Sequence, residues 1–151
     1  MNVTITPTKP EHLRLLAENL RWKDAAELKS AGTTPSKALW RSYRQSSLVR
    51  TAFAGGDIAA IWGVGGGPFD KIGRPWLLTA PPIERVKKAF IRQARLEVAQ
   101  MLVVFPEIRG YVDAQYTGAV RLLEILGFTM SKEFPFGPNG SPFRQYSMRR
   151  G

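Results

Sequence analysis

Four glycines fall in the stretch Gly63-Val64-Gly65-Gly66-Gly67, with Lys71 close behind. Glycine backbone can approach a phosphate closely and lysine can neutralise one, so the residue types suit an anion. The spacing does not: no Gly-Lys-Ser/Thr follows and the glycines do not open a helix, so a loop between strands is expected. Asp113 stands between a strand and a helix, where it can cap the helix or act as a base, and capping is the expected role. His12, the only histidine, falls on the polar side of the first helix and is expected to be solvated. With one histidine and no cysteine, the usual zinc and two-histidine iron sites, disulfides and cysteine nucleophiles are excluded. Lys88, Arg92 and Arg95 follow one another at i, i+4 and i+7, which places three cations on one helix face. Such a face suits DNA phosphates, and an ordinary solvated surface is the competing reading.

These residues must be positioned by a chain of 151 residues with 22 Lys plus Arg against 12 Asp plus Glu, a net charge of +10, and 44% hydrophobic content. A chain of that length buries roughly two-thirds of its unfolded surface, enough for one domain spanning residues 1–151. No run approaches the roughly 18 apolar residues of a membrane span, and the N-terminus lacks the pattern of a signal peptide. The expectation is a protein of the cell interior whose basic character invites a polyanion partner.

Hydrophobic periodicity orders the elements. Residues 3–6 read as a strand, and Leu13, Leu16, Ala17 and Leu20 mark a helix begun at Pro10-Glu11. Two short helices follow at 23–30, closed by Gly32, and at 36–45, opened by Thr34-Pro35-Ser36. Strands at 49–54 and 58–64 flank Gly55-Gly56-Asp57 as an antiparallel hairpin. Residues 65–75 read as a glycine-rich connection and 76–79 as a buried strand stopped by Pro81 and Pro82. The longest helix is expected over 83–105, with Ile83, Val86, Phe90, Ala94, Val98, Met101 and Leu102 on its apolar stripe. A strand at 110–113, a helix at 116–126 capped by Gly127, and a hairpin of 128–134 with 143–148 complete the order. The fold class is therefore α/β, a mixed sheet with helices packed against it.

The segment Asp113-Ala114-Gln115-Tyr116-Thr117-Gly118 through Leu126-Gly127-Phe128 resembles the strand, helix and Gly-Phe ending of the GNAT superfamily of acetyl-CoA-dependent N-acetyltransferases. The element order agrees over nearly the whole chain. The resemblance implies a mixed, mostly antiparallel GNAT-like sheet with flanking helices, and parallel, splayed strands around Trp76 and Tyr111. It implies that the cofactor diphosphate would meet the turn Thr79-Ala80-Pro81-Pro82-Ile83-Glu84-Arg85. Two prolines there remove N–H donors, Glu84 adds a negative charge, and Arg85 is the compensating cation. The family's usual asparagine matches Tyr116, and its thiolate-protonating tyrosine matches Leu123, which cannot donate a proton.

A narrower resemblance covers Asp24-Ala25-Ala26-Glu27-Leu28-Lys29-Ser30-Ala31-Gly32 with Pro35-Ser36, the basic long helix and the ending Leu122 to Phe128. These are similar to small GNAT-like proteins of tailed bacteriophages that include an internal virion or virion-assembly protein. This resemblance implies a non-catalytic protein of the host cytoplasm or virion. It would have no cofactor, would bind virion or ejection proteins, and would reach DNA through Lys88, Arg92 and Arg95. The alternative is a working N-acetyltransferase using acetyl-CoA, held near Leu78, Thr79, Ala80 and Arg85, with Leu78 and Ala80 amides polarising the carbonyl and Tyr116 as acid.

Overall fold

The structure, a computed structural model, describes residues 2–151. Strand β1 (Val3–Pro7) and helices α1 (Pro10–Asn19), α2 (Trp22–Ser30) and α3 (Pro35–Gln45) lead into the hairpin β2 (Ser46–Ala54) and β3 (Asp57–Gly65). Then come β4 (Ile72–Thr79), a 3-10 turn (Pro81–Val86), α4 (Lys87–Val104), β5 (Glu107–Asp113), α5 (Thr117–Ile125), β6 (Thr129–Met130), β7 (Phe134–Phe136) and β8 (Ser141–Arg149). The strands form one sheet in the order β1-β2-β3-β4-β5-β8-β6, with β7 also on β8.

Every pairing is antiparallel except β4 with β5, the two strands that α4 separates in sequence. A helical crossover returns the chain in the same direction, so parallel neighbours follow from the connection. Their contact is confined to Ile72 opposite Glu107 and Gly73 opposite Ile108; beyond these the strands part. Gly73 permits the join, because a Cβ there would meet the Phe105 ring and lie 2.8 Å from Val64. The expected parallel, splayed pair is therefore present, and so is the antiparallel hairpin, turned by Gly55 and Gly56 at φ of 60° and 104°.

Side-chain alternation divides the core between the two faces of the sheet. Ile61 and Leu78 face α1 and α3, packing with Leu13, Leu16 and Leu39. Their neighbours Trp62 and Leu77 face the other way, packing with Phe90 and Met101 of α4 and with Phe128. Each fully buried leucine contributes about 1.5 to 3 kcal/mol through its burial, so both helical layers are needed to hold the sheet.

Several local expectations need correction. β4 starts at Ile72, because Arg74 and Pro75 continue the extended strand opposite Gly65 and Val64. The long helix opens as a 3-10 turn, the Ile83 amide closing an i→i−3 bond to the Ala80 carbonyl at 3.0 Å, and becomes α-helical only at Lys87. The closing strand breaks into β6 and β7, because the Ser131 hydroxyl accepts the Gln145 amide at 2.8 Å. His12 is half-buried rather than solvated: its Nδ1 lies 3.1 Å from both the Lys9 amide and the Thr51 hydroxyl, and its ring meets Phe53 edge-on. Burial lowers its pKa from the ordinary value. Among the described residues, no helix is long and apolar enough to cross a membrane.

Candidate functional site

Where β4 and β5 part, backbone groups on their facing edges lose their natural partners. Along β4, alternate residues turn their N–H and C=O groups toward β3, so Leu78 opposite Ile61 is committed to the sheet. Thr79 and Leu77 turn theirs toward the opening. Helix α2 covers part of this opening. The Arg21 amide, at its N-cap, donates to the Thr79 carbonyl at 2.8 Å. One turn later Asp24 accepts from the Thr79 amide at 2.9 Å and from the Thr79 hydroxyl. Three residues further on, Glu27 Oε2 accepts the Asp113 amide of β5 at 3.2 Å. The i, i+3 spacing puts both carboxylates on one helix face, so α2 reaches both arms of the splay.

The two carboxyls stand close in low-dielectric surroundings, which favours their neutral forms. Burial pushes Glu27 up to about 7, and the nearby charges of Asp24 and Asp113 push in the same direction against the hydrogen bond from the Asp113 amide. Burial also raises Asp24, against hydrogen bonds from Thr79 and from Tyr116. Tyr116, the N-cap of α5, has its phenol pKa raised well above the ordinary value by burial and by Asp24. It therefore stays protonated beside Asp24. Asp113 closes the turn before α5 by accepting the Gln115 amide at 2.9 Å, so its carboxyl serves the turn.

A cavity of about 600 Å³ occupies the splay. Asp24, Glu27, Thr79 and Tyr116 line it from α2 and the strand ends; Phe90, Ile91, Leu122 and Leu123 line it from α4 and α5. Its mouth is cationic. Arg21 and Lys87 both pair with Glu84, at 3.0 and 2.8 Å, and the Lys87 hydrogen bond holds the Glu84 pKa below its ordinary value. Lys23 lies over the Trp22 and Tyr116 rings. The negative charge of Glu84 is thus offset by two neighbouring cations.

The expected site residues separate into two groups. Leu78, Thr79 and Tyr116 line the cavity, with the Thr79 amide already bonded to Asp24. The Ala80 amide donates to the Ala59 carbonyl at 2.9 Å, and the exposed Arg85 pairs with Asp57 at 2.9 Å, away from the cavity lining. Asp24 and Glu27 were not singled out as chemical groups by sequence reasoning. The available signal was a carboxylate pair at i, i+3 in a helix of only nine residues.

An acyl thioester and its arm suit the cleft, which offers apolar walls on α4 and α5 and the outward N–H and C=O of Leu77. A diphosphate on the turn has poorer support. Pro81 and Pro82 have no N–H, and the Ile83 amide is bonded to the Ala80 carbonyl at 3.0 Å. Phosphates would instead be held by side chains, and Arg21, Lys23, Lys87 and Arg121 are the cations in the cavity lining.

No protein-family model and no curated protein sequence matches the chain. Solved structures do match in shape. A GNAT-family acetyltransferase from Streptococcus pneumoniae is 15% identical with a TM-score of 0.68, covering 99% of this chain and 100% of that one. RimL, a ribosomal L7/L12 alpha-N-protein acetyltransferase in complex with coenzyme A, is 9% identical with a TM-score of 0.71, covering 99% and 94%. A Salmonella typhimurium chain solved with its cofactor acetyl-CoA is 12% identical with a TM-score of 0.64, covering 99% and 94%. The chain has the fold of the GNAT acetyltransferases. Nothing in these comparisons ties it to phages or to virion assembly.

Proposed function

We propose that the protein transfers an acyl group from a thioester donor, acetyl-CoA in the simplest case, to a primary amine. The observation that carries this reading is Glu27: a carboxyl with a pKa of about 7, lining the cavity between the parted strands. The thioester supplies an activated acyl carbon, whose bond to sulfur is exchanged for a bond to nitrogen. The outward-facing Leu77 amide donates to the carbonyl oxygen as negative charge develops there. Glu27 takes the proton of the incoming ammonium. Its pKa is close to that of an α-amine, which titrates at about 7.7 to 8.0, so it passes this first proton to solvent, takes the second proton from the nitrogen after attack, and returns that second proton to the departing sulfur. Tyr116, whose pKa is raised, is a poor acid for a thiolate; it orients Asp24, which fixes α2 against β4. Arg21, Lys23 and Lys87 would neutralise the phosphates of a coenzyme. The solved relatives of this fold that hold coenzyme A or acetyl-CoA support the choice of donor.

A second reading has one specific observation in its favour. The turn before α4 offers no free backbone donor to a diphosphate, which suits a protein working by contact with virion proteins or DNA. Titration calorimetry with acetyl-CoA separates the two. The acyl-transfer reading expects saturable binding tighter than millimolar, weakened in Arg21→Ala and Lys87→Ala; no heat of binding at millimolar acetyl-CoA would leave the contact reading.

A further inference from the structure

A second, smaller cavity of about 80 Å³ lies between α4, α5 and the sheet, and Pro75, Leu77, Phe90, Leu122, Leu123 and Tyr146 line both it and the larger one. Its walls are mostly apolar, and the Trp76 and Tyr146 polar atoms are bonded elsewhere, to Ser46 and Pro75, which leaves two polar side chains to account for. Glu97 of α4 is only 7% exposed and Trp62 of β3 only 5%. Both line the cavity, and neither Glu97 Oε2 nor Trp62 Nε1 has a hydrogen-bond partner among the described residues. An unpartnered buried carboxylate oxygen and an unpartnered indole N–H each carry a desolvation cost. Position 97 belongs to the stripe Phe90, Glu97, Met101 that faces the sheet, where any apolar side chain would pack at no such cost.

From this we infer that the small cavity is the seat of the donor's acyl chain, and that the chain carries a hydroxyl, which donates to Glu97 and accepts from Trp62. The inference rests on the acyl-transfer reading and names its substrate class. Leu77 connects the two parts: its amide faces the thioester position and its side chain walls the small cavity, so a chain running past Leu77 enters it. Glu97 alone calls for a donor and Trp62 alone for an acceptor; a hydroxyl is a small neutral group that is both. The size sets the chain length. A cavity of about 150 Å³ holds a benzene ring, so this one has room for about three or four heavy atoms. An acetyl group leaves it unfilled, whereas a hydroxybutyryl group fills it.

The test uses thioesters of N-acetylcysteamine, which carry no phosphate and so bypass the turn before α4. The acetyl, butyryl and 3-hydroxybutyryl thioesters are titrated into the full chain while the Trp62 indole N–H is followed by NMR, its resonance assigned with Trp62→Phe. The expected result is 3-hydroxybutyryl binding about tenfold tighter than butyryl, the advantage of hydrogen bonds to a charged and a neutral partner, with the Trp62 resonance shifting for the hydroxylated thioester alone. Glu97→Gln and Trp62→Phe should each erase the preference. Butyryl binding as tightly as 3-hydroxybutyryl, or an unmoved Trp62 resonance, overturns the inference and leaves acyl transfer standing. Binding of none of the three also overturns the inference, while saturable binding of acetyl-CoA to the same protein would still support acyl transfer.

Discussion

Glu27 is held by one hydrogen bond from Asp113, has Asp24 one turn away, and sits where its charged form is disfavoured. Its neutral form persists up to a pH of about 7 in the folded chain, whereas an ordinary glutamate loses its proton near 4.5. Between those values the folded state binds the extra proton, so stability falls as pH rises from 4.5 toward 7 and levels off above it. Glu27→Gln removes this loss. At pH 8 the variant is expected to be more stable than wild type by up to about 3 kcal/mol in chemical denaturation, with the two converging near pH 4.5. The same substitution should abolish most transfer activity. A residue that costs stability where it supplies function fits a proton carrier, whereas a purely structural carboxylate would lose stability on substitution. Equal stability of the two proteins at pH 8 would remove Glu27 from the account.

At the scale of elements, the splay depends on how β5 and β8 are held below it. Tyr146 of β8 lies against Gly110 of β5, and its phenol donates across the opening to the Pro75 carbonyl of β4 at 3.1 Å. A Cβ at residue 110 would collide with that ring. Gly110→Ala is therefore expected to displace Tyr146, break the bridge and destabilise the fold by about 1 to 3 kcal/mol, read as a fall in Tm. Much of this architecture was legible in the sequence. Alternating β-branched residues, the Gly55-Gly56-Asp57 turn and the long stripe from Ile83 to Leu102 mark their elements through local periodicity, and α4 between two strands dictates their parallel pairing. The site was less legible because it arises from non-local contact. Asp24 meets Thr79 from 55 positions away and Glu27 meets Asp113 from 86, separations that no spacing rule encodes. Tyr116 was found through resemblance, and it lines the cavity. Glu97 left a trace, as the one carboxylate on an apolar stripe, that periodicity alone reads as noise.

For the whole molecule, a net charge of +10 is spread over surfaces with different duties. Arg21, Lys23, Lys87 and Arg121 line the cavity, while Lys88, Arg92 and Arg95 are exposed on α4 outside its lining. Changing Lys88, Arg92 and Arg95 together to glutamine is expected to leave acyl transfer within about twofold of wild type, since exposed charges away from a site cost little stability. If that face also contacts DNA, the triple change should flatten the salt dependence of binding by up to about 3 units of log-log slope. The proposed activity requires the splayed cleft as a transfer site with Glu27 as its proton carrier. The direct measurement is thiol release from acetyl-CoA in the presence of a peptide with a free α-amine, followed from pH 5.5 to 9 for wild type and Glu27→Gln. The prediction is a rate that climbs through a pKa near 7 in wild type and is lower by about a hundredfold or more in the variant, the usual worth of a positioned base. No peptide-dependent thiol release at any pH, or a variant as fast as wild type, would contradict it.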